Sequence, residues 1–231
     1  MYWDDEQHAD AVYRVPDDIV DLAFAITCRC LPLDHAYALS QALHAALPWL
    51  HDEPGAGIHL IHGAESGNGW YRPQNPGADL LFLSRRTRLT LRLPKTRVAD
   101  ARALDGSVLH IDGYPLQIKE AVVRPLGTLP TVFARYVSAQ ESDSEERFLE
   151  WAADELRSLG VPIKKMLCGK SHPIGTPRGA VFTRSLMVAD LDPEYSVRLQ
   201  QQGIGPLRKM GCGLFIPHKG IRAIREELDA R

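Results

Sequence analysis

The chain is poor in cysteine, with four in 231 residues (Cys28, Cys30, Cys168 and Cys212), and it has no Cys-x-x-Cys pair. That spacing implies neither a zinc site nor a disulfide framework, so reduced, mostly buried thiols are expected. A cytoplasmic location is expected from the same reading and from an acidic N-terminus unlike a signal peptide. No apolar run is long enough to cross a bilayer, so no membrane partner is expected. The chain lacks a His-Glu-x-x-His motif and a carboxylate pair placed for magnesium, so neither a metal nor another cofactor is expected. Gly169-Lys170-Ser171 ends like a Walker phosphate loop, but Lys164 stands where its first glycine belongs, which excludes that route to nucleotide hydrolysis. An excess of charge is missing as well. The 27 basic and 29 acidic side chains leave a net charge of −2, so the overall charge announces no polyanionic partner.

What the chain does have is segregated charge. Asp4, Asp5, Glu6, Asp10, Asp17, Asp18 and Asp21 make an acidic start, and Glu141 to Glu155 is acidic again. Arg85, Arg86, Arg88, Arg92, Lys95, Arg97 and Arg102 form a basic stretch; Lys164, Lys165, Lys170, Arg178 and Arg184 form another. This pattern implies one basic and one acidic face. Near the C-terminus two Gly-x-Gly units, Gly203-Ile204-Gly205 and Gly211-Cys212-Gly213, flank the cations Arg208 and Lys209. Glycine permits positive φ and close backbone approach, so a tight cationic loop of this kind suits an anion such as a phosphodiester.

Hydrophobic periodicity predicts two rounds of strand, helix, strand, strand, helix, strand. The first round takes Ile19 to Arg29 as a strand and His35 to Leu47 as a helix with Asp34 as its N-cap. Gly57 to His62, Leu80 to Leu83 and Leu89 to Leu93 follow as strands, and Pro94 to Leu104 as a short helix. Val108 to Ile111 and Leu116 to Val123 then form a hairpin about Asp112-Gly113. The second round takes Thr131 to Ser138 as a strand and Ser144 to Leu159 as an amphipathic helix capped by Ser144 and ended by Gly160. Strands at Ile163 to Leu167 and Val181 to Leu191 follow, then a helix from Pro193 to Gln202 and a strand from Gly213 to Ile216. This order is the split βαβ, so an α+β chain of two tandem ferredoxin-like (RRM-like) units is expected, divided near the Pro- and Gly-containing stretch Arg124 to Pro130 into domains 1–126 and 127–231. The glycine-rich loop falls between the last helix and last strand of the second unit.

The combination resembles the CRISPR-associated endoribonucleases that cut repeat RNA into guide RNAs, the Cas-six family. Pro32-Leu33-Asp34-His35-Ala36-Tyr37-Ala38-Leu39, followed by Gln41-Ala42-Leu43-His44, resembles their first helix. Lys164 to Lys170, Thr183 to Leu191 and Gly211 to Lys219 resemble the myxan-type branch in particular. The resemblance runs from about residue 20 nearly to the end. It implies metal-independent cleavage in which the RNA 2′-hydroxyl attacks the adjacent phosphate, leaving a 2′,3′-cyclic phosphate and a 5′-hydroxyl. Such chemistry needs a base, an acid and cations, but no protein nucleophile. The implied partners are CRISPR repeat RNA or guide RNA and other subunits of a CRISPR effector complex.

Nine histidines compete for the proton-transfer roles. His44 stands in the third turn of the first helix, where the resemblance places a catalytic His or Tyr, and imidazole titrates in the useful range. His35, at the helix start, has its cationic form disfavoured by the helix dipole, which makes it a neutral base or a first-turn surface residue. His51, after Trp49-Leu50, is a reserve candidate. His59 and His62 lie three apart in a strand-like run and so would face opposite ways, which argues against a metal pair. One of Lys164, Lys165 and Lys170 is expected to stabilise the phosphorane, with Lys165 taken as the catalytic representative. Arg85, Arg86, Lys164, Lys170, Arg184, Arg208, Lys209 and the glycines Gly203, Gly205, Gly211 and Gly213 are the candidate RNA contacts. Two other readings stand beside this one. A non-catalytic RNA-binding subunit of the same architecture would bind without cutting. A small-molecule enzyme using His44 and His51 would need an enclosed apolar pocket in place of an open basic groove.

Overall fold

The computed structural model describes residues 13–62, 80–140 and 144–219. The first half holds β1 (Ile19–Thr27), β2 (Cys30–Pro32), α1 (Ala36–Ala46), β3 (Gly57–His59), β4 (Leu80–Phe82), β5 (Arg88–Pro94), the single turn α2 (Val98–Ala101), β6 (Val108–Ile111) and β7 (Tyr114–Arg124). The second half holds β8 (Val132–Ser138), α3 (Glu145–Ser158), β9 (Lys165–Ile174), β10 (Val181–Ala189), α4 (Pro193–Gln202) and β11 (Ile216–Pro217).

Each half builds an antiparallel sheet. The first has the order β3-β5-β1-β7-β6 and the second β11-β8-β10-β9. Taken without β6, the first order places β1 between β5 and β7, as the second places β8 between β10 and β11. This is the ferredoxin-like arrangement, with β6 added at one edge by the hairpin to β7. Asp112 and Gly113 turn that hairpin at φ 48° and 84°. Two successive left-handed residues match the strand twist, which is why Asp-Gly works there. A further small sheet pairs β2 with β4.

Central β1 is buried at Leu22 and Phe24, which pack with Leu39 and Leu43 of α1 and Leu91 and Leu93 of β5 into the first core. Phe148, Ala152 and Leu156 on one face of α3 join Val132, Ala134, Leu186 and Phe215 in the second. Leaving water drives both, at roughly 25 cal/mol for each Å² of apolar surface removed. Between them, Ala36, Ile174 and Cys212 form a small third cluster with Leu60 and Tyr136.

Several boundaries differ from those predicted. Asp34 does not cap α1: its carboxylate accepts from the Gly175 amide at 2.6 Å, and His35 takes the cap position without a side-chain bond to the amides of the first turn. The helix expected over Pro94 to Leu104 is broken into α2 and two flanking 3-10 turns. The strand expected at Ile163 to Leu167 is β9, which runs on to Ile174. No helix among the described residues is long and apolar enough to cross a membrane.

Candidate active site

The site begins with how α1 ends. Leu39 and Leu43 face the core, so Ser40 and His44, one position further on, lie together beside that stripe. The two meet at 3.3 Å between Ser40 Oγ and His44 Nδ1. Pro48 stops the helix and opens a 3-10 turn, Pro48–His51, anchored by buried Leu50. The turn carries exposed His51 back beside His44, edge to face, with ring centroids 5.8 Å apart. His44 Nε2 is shielded from solvent and has no hydrogen-bond partner. Burial lowers the His44 pKa below its ordinary value; the Ser40 backbone opposes the shift, and the nearby charges of His51 and Lys209 add to it. Burial thus favours the neutral imidazole of His44.

Lys209 comes from the glycine-rich loop. Its ammonium donates to the His51 carbonyl oxygen, which sets a cation beside both rings. The loop closes on itself before it reaches them. The neck is so tight that a Cβ on Gly203 would stand 2.3 Å from the Gly213 carbonyl oxygen and one on Gly213 2.0 Å from that of Ile204, and both glycines have positive φ. Gly205 packs on Trp151 and Gly211 on Leu60, one from each half of the chain. Each of the four glycines expected to cradle an anion thus has one side packed against protein; Gly203 and Gly213 are buried, and Gly205 and Gly211 are partly exposed. Arg208 also turns inward: Nη2 donates to the Gln201 carbonyl at 2.9 Å, and Nε is buried without a partner. Burial, followed by the charge of Arg92, lowers the Arg208 pKa to about 10.

Other expected residues are placed elsewhere. His35 is 3% exposed. Its Nδ1–H donates to the Pro32 carbonyl at 2.9 Å, with Leu33 O at 3.1 Å, and its Nε2 accepts from the Ile61 amide at 3.2 Å. With both nitrogens held by backbone, His35 has no site left for a proton from a substrate. Lys165 pairs with Asp190 at 2.8 Å and Lys164 with Asp192 at 3.4 Å. Lys165 opens β9 and Lys164 directly precedes it, about 30 Å of strand away from Ile174, the residue that packs with Ala36 of the first half. Lys170 is exposed on edge strand β9, opposite the irregularity in β10 between Arg184 and Leu186. Arg184 Nη1 donates to the Gly169 carbonyl at 3.1 Å. Arg85 and Arg86 are exposed on the turn between β4 and β5, where Arg88 Nη1 bonds the Arg85 carbonyl.

His59 and His62 do not share a strand, because β3 ends at His59. His59 Nε2 lies 3.5 Å from the Asp21 carboxylate, and His62 stacks on Tyr136 with ring centroids 6.2 Å apart. Among the described residues no three His, Cys, Asp or Glu side chains converge as a metal site. A cavity lined by His35, Leu60, His62, Tyr136, His172 and Ile174 sits at the start of α1, away from His44 at its end. The histidine pair is thus not enclosed in that cavity, as a small-molecule enzyme built on it would require.

Comparison with known proteins adds three findings. The Cas6 family model (Cas6 Crispr) matches residues 20–220. The chain is 33% identical over 198 residues to the CRISPR-associated endonuclease Cas6 of Myxococcus xanthus (strain DK1622), covering 86% of this chain and 81% of that protein. Among solved structures, the fold is similar to a CRISPR associated protein Cas6 (TM-score 0.58, 10% identity, 87% of this chain and 100% of that one). It is also similar to a Cas6-related protein from Pyrococcus furiosus (TM-score 0.53, 11% identity, 85% and 97%) and to a RAMP protein that binds different RNA substrates (TM-score 0.55, 13% identity, 87% and 98%).

Proposed function

The chain belongs to the Cas6 family, and from that membership we propose that it is an endoribonuclease that processes CRISPR repeat RNA. The observation that carries this reading to particular residues is the meeting of His44, His51 and Lys209, which come from two separate parts of the chain. In the proposed reaction a base removes the proton of the 2′-hydroxyl beside the scissile phosphate. The freed oxygen attacks phosphorus, an acid protonates the departing 5′-oxygen, and the products carry a 2′,3′-cyclic phosphate and a 5′-hydroxyl. The residues are assigned by their surroundings. His44, kept neutral by burial, is the base: Nδ1–H donates to Ser40 Oγ, which leaves Nε2 bare to accept the proton. Access to Nε2 requires a neighbouring side chain to move as the strand docks. His51 is the acid, and Lys209, exchanging the His51 carbonyl for phosphate oxygen, offsets the charge that develops on phosphorus. No step draws on a metal ion. Exposed Arg85, Arg86 and Lys170 supply the phosphate contacts away from the cut, and residues 1–126 and 127–231 act as two domains around it.

The test is cleavage of the cognate repeat RNA in EDTA, with and without a 2′-deoxy substitution at the scissile nucleotide. Cutting that persists in EDTA and stops on removal of that single hydroxyl supports the reaction; cutting of the deoxy substrate would sink it. The shielding of His44 Nε2 favours a second reading, an RNA-binding subunit that does not cut. Tight binding with no cleavage, with or without divalent ions, would select it.

A further inference from the structure

Arg92 lies in the middle of β5 and is wholly buried. An arginine is rarely placed so unless every donor has a partner. Its Nε and Nη2 donate to the two carboxylate oxygens of Asp21 on β1, at 2.8 and 3.0 Å. Its Nη1 donates to the Gln200 carbonyl at 2.8 Å and to the Phe215 carbonyl at 2.7 Å. The first pair fixes the plane of the guanidinium within the first sheet. The second pair reaches across to the other half of the chain.

Those two carbonyls mark the stems of one loop. Gln200 is in the last turn of α4, and Phe215 stands just before β11. The segment they bracket contains the whole glycine-rich loop, whose own neck is closed where Ile204 N donates to Gly213 O at 3.3 Å. One guanidinium therefore holds both stems of the loop against the sheet that carries α1. Beyond this clamp the loop delivers Lys209 to the His51 carbonyl and Gly211 to Leu60. Lysine cannot take this place, because a single ammonium has no planar fork with which to hold a carboxylate and two carbonyls at once.

We infer that Arg92 is a positioning residue for cleavage: clamped to Asp21, it sets the register of the glycine-rich loop against α1 and so places Lys209 beside His44 and His51. The inference rests on the ribonuclease reading for its effect on rate, but the clamp can be read without any RNA. Arg92 touches neither substrate nor the histidines; it acts through the loop.

The test compares Arg92→Lys with the unaltered full chain by two measurements. Backbone amide hydrogen exchange reads the clamp, and single-turnover cleavage of repeat RNA at saturating protein reads the placement of Lys209. The expected result is faster exchange confined to residues 203–213, with the strands β1 and β8 still protected. Cleavage is expected to slow roughly 10- to 100-fold, the scale of a small misplacement of a reacting group, with RNA affinity held within a few-fold. Unchanged loop exchange, or a cleavage rate equal to that of the unaltered chain, would overturn the inference. So would loss of protection throughout the chain together with equal losses of affinity and rate, since that is the mark of a purely structural residue. If Arg92→Lys does not fold, Asp21→Asn takes its place, because it loosens one side of the fork and keeps the bonds to Gln200 and Phe215. A smaller change in the same loop amides is then expected, and none would overturn the inference. If the unaltered chain cuts no RNA, the ribonuclease reading fails while the exchange result still decides whether Arg92 clamps the loop.

Discussion

The Lys209 ammonium donates to the backbone carbonyl oxygen of His51, joining the glycine-rich loop to the turn that follows α1. The bond uses main chain on the His51 side, so it leaves the imidazole of His51 unoccupied. It also brings a positive charge near His44, where it acts with burial to disfavour the imidazolium. Burial and the Lys209 charge therefore act in the same direction, toward the neutral imidazole of His44.

Replacing Lys209 with Gln tests that coupling. Removing the positive charge makes protonation of His44 easier, so its pKa rises toward the ordinary histidine value of about 6.5. If His44 is the base, activity requires its neutral form, and the acidic limb of the pH profile of kcat/KM moves to higher pH. The shift is partial because burial, the larger cause, remains. The rate on the pH plateau should also fall, by roughly 100- to 1,000-fold if Lys209 offsets charge on phosphorus. A limb that does not move would mean that another group sets it.

The two histidines should fail differently from the residues that hold RNA. His44→Ala and His51→Ala are each expected to slow cleavage roughly 100- to 10,000-fold, the usual worth of a general acid or base. Affinity for the repeat RNA, measured by gel shift or anisotropy, should change little. Lys165→Ala is the contrast: its exposed pair with Asp190 is worth at most about 1 kcal/mol, and it opens β9, at the far end of the strand from Ile174. Cleavage by that variant at the normal rate is the expected outcome; a loss as large as that of His44→Ala would restore Lys165 to the site.

How much of this was legible in the sequence depends on where each signal resides. Helix α4 was read to its ends because Asp192, Pro193 and the glycine after Gln202 are local instructions. The ferredoxin-like order is legible because most strands and helices carry their own periodicity. Strand β9 was misplaced because most of it is exposed at a sheet edge, where no alternation of buried and exposed residues is imposed. The fate of His35 could not be read locally: its Nε2 substitutes for a backbone acceptor to Ile61, 26 positions away. Arg92 stands in a stretch whose pattern implies a basic face, and only the partners Asp21, Gln200 and Phe215 make its burial tolerable. Residue types mark His44 and His51 as candidates, whereas the contact of Lys209 with the His51 carbonyl is tertiary and carries no local signal.

His35 should prove structural. Replacing it with Ala leaves the Ile61 amide and the Pro32 carbonyl without their partner, at about 1–3 kcal/mol for each buried group left unsatisfied. Cleavage per folded molecule should remain within a few-fold of normal. The pH dependence of stability follows from the lowered pKa of this buried ring, whose charged form burial disfavours. The unfolded chain binds the proton near pH 6.5 and the folded chain only at lower pH, so stability is full above about 6.5 and declines as pH falls below it. His59, also buried with a lowered pKa, adds to the same trend. Thermal melts at pH 5 and 7.5 should show the decline, and His35→Phe should lessen it. An unchanged pH slope in His35→Phe would show that the ring titrates alike in both states.

Gly213 and Gly113 offer the sharpest comparison of loop with turn. Both have positive φ, 68° and 84°, so alanine at either carries a similar conformational penalty of about 1 kcal/mol. Around Gly113 nothing lies within 4 Å of the added carbon, and the penalty ends there. At Gly213 the new methyl would stand 2.0 Å from the Ile204 carbonyl oxygen, a backbone atom that cannot swing aside. The neck of the loop must open, which breaks the Ile204 to Gly213 hydrogen bond and draws Lys209 away from His51. Gly113→Ala should therefore melt a few degrees lower and cut RNA normally. Gly213→Ala should lose cleavage by at least about the ten-fold that a displaced charged group costs, even at temperatures where its second sheet remains folded by circular dichroism. Equal behaviour of the two variants would mean that the closed neck contributes nothing to the placement of Lys209.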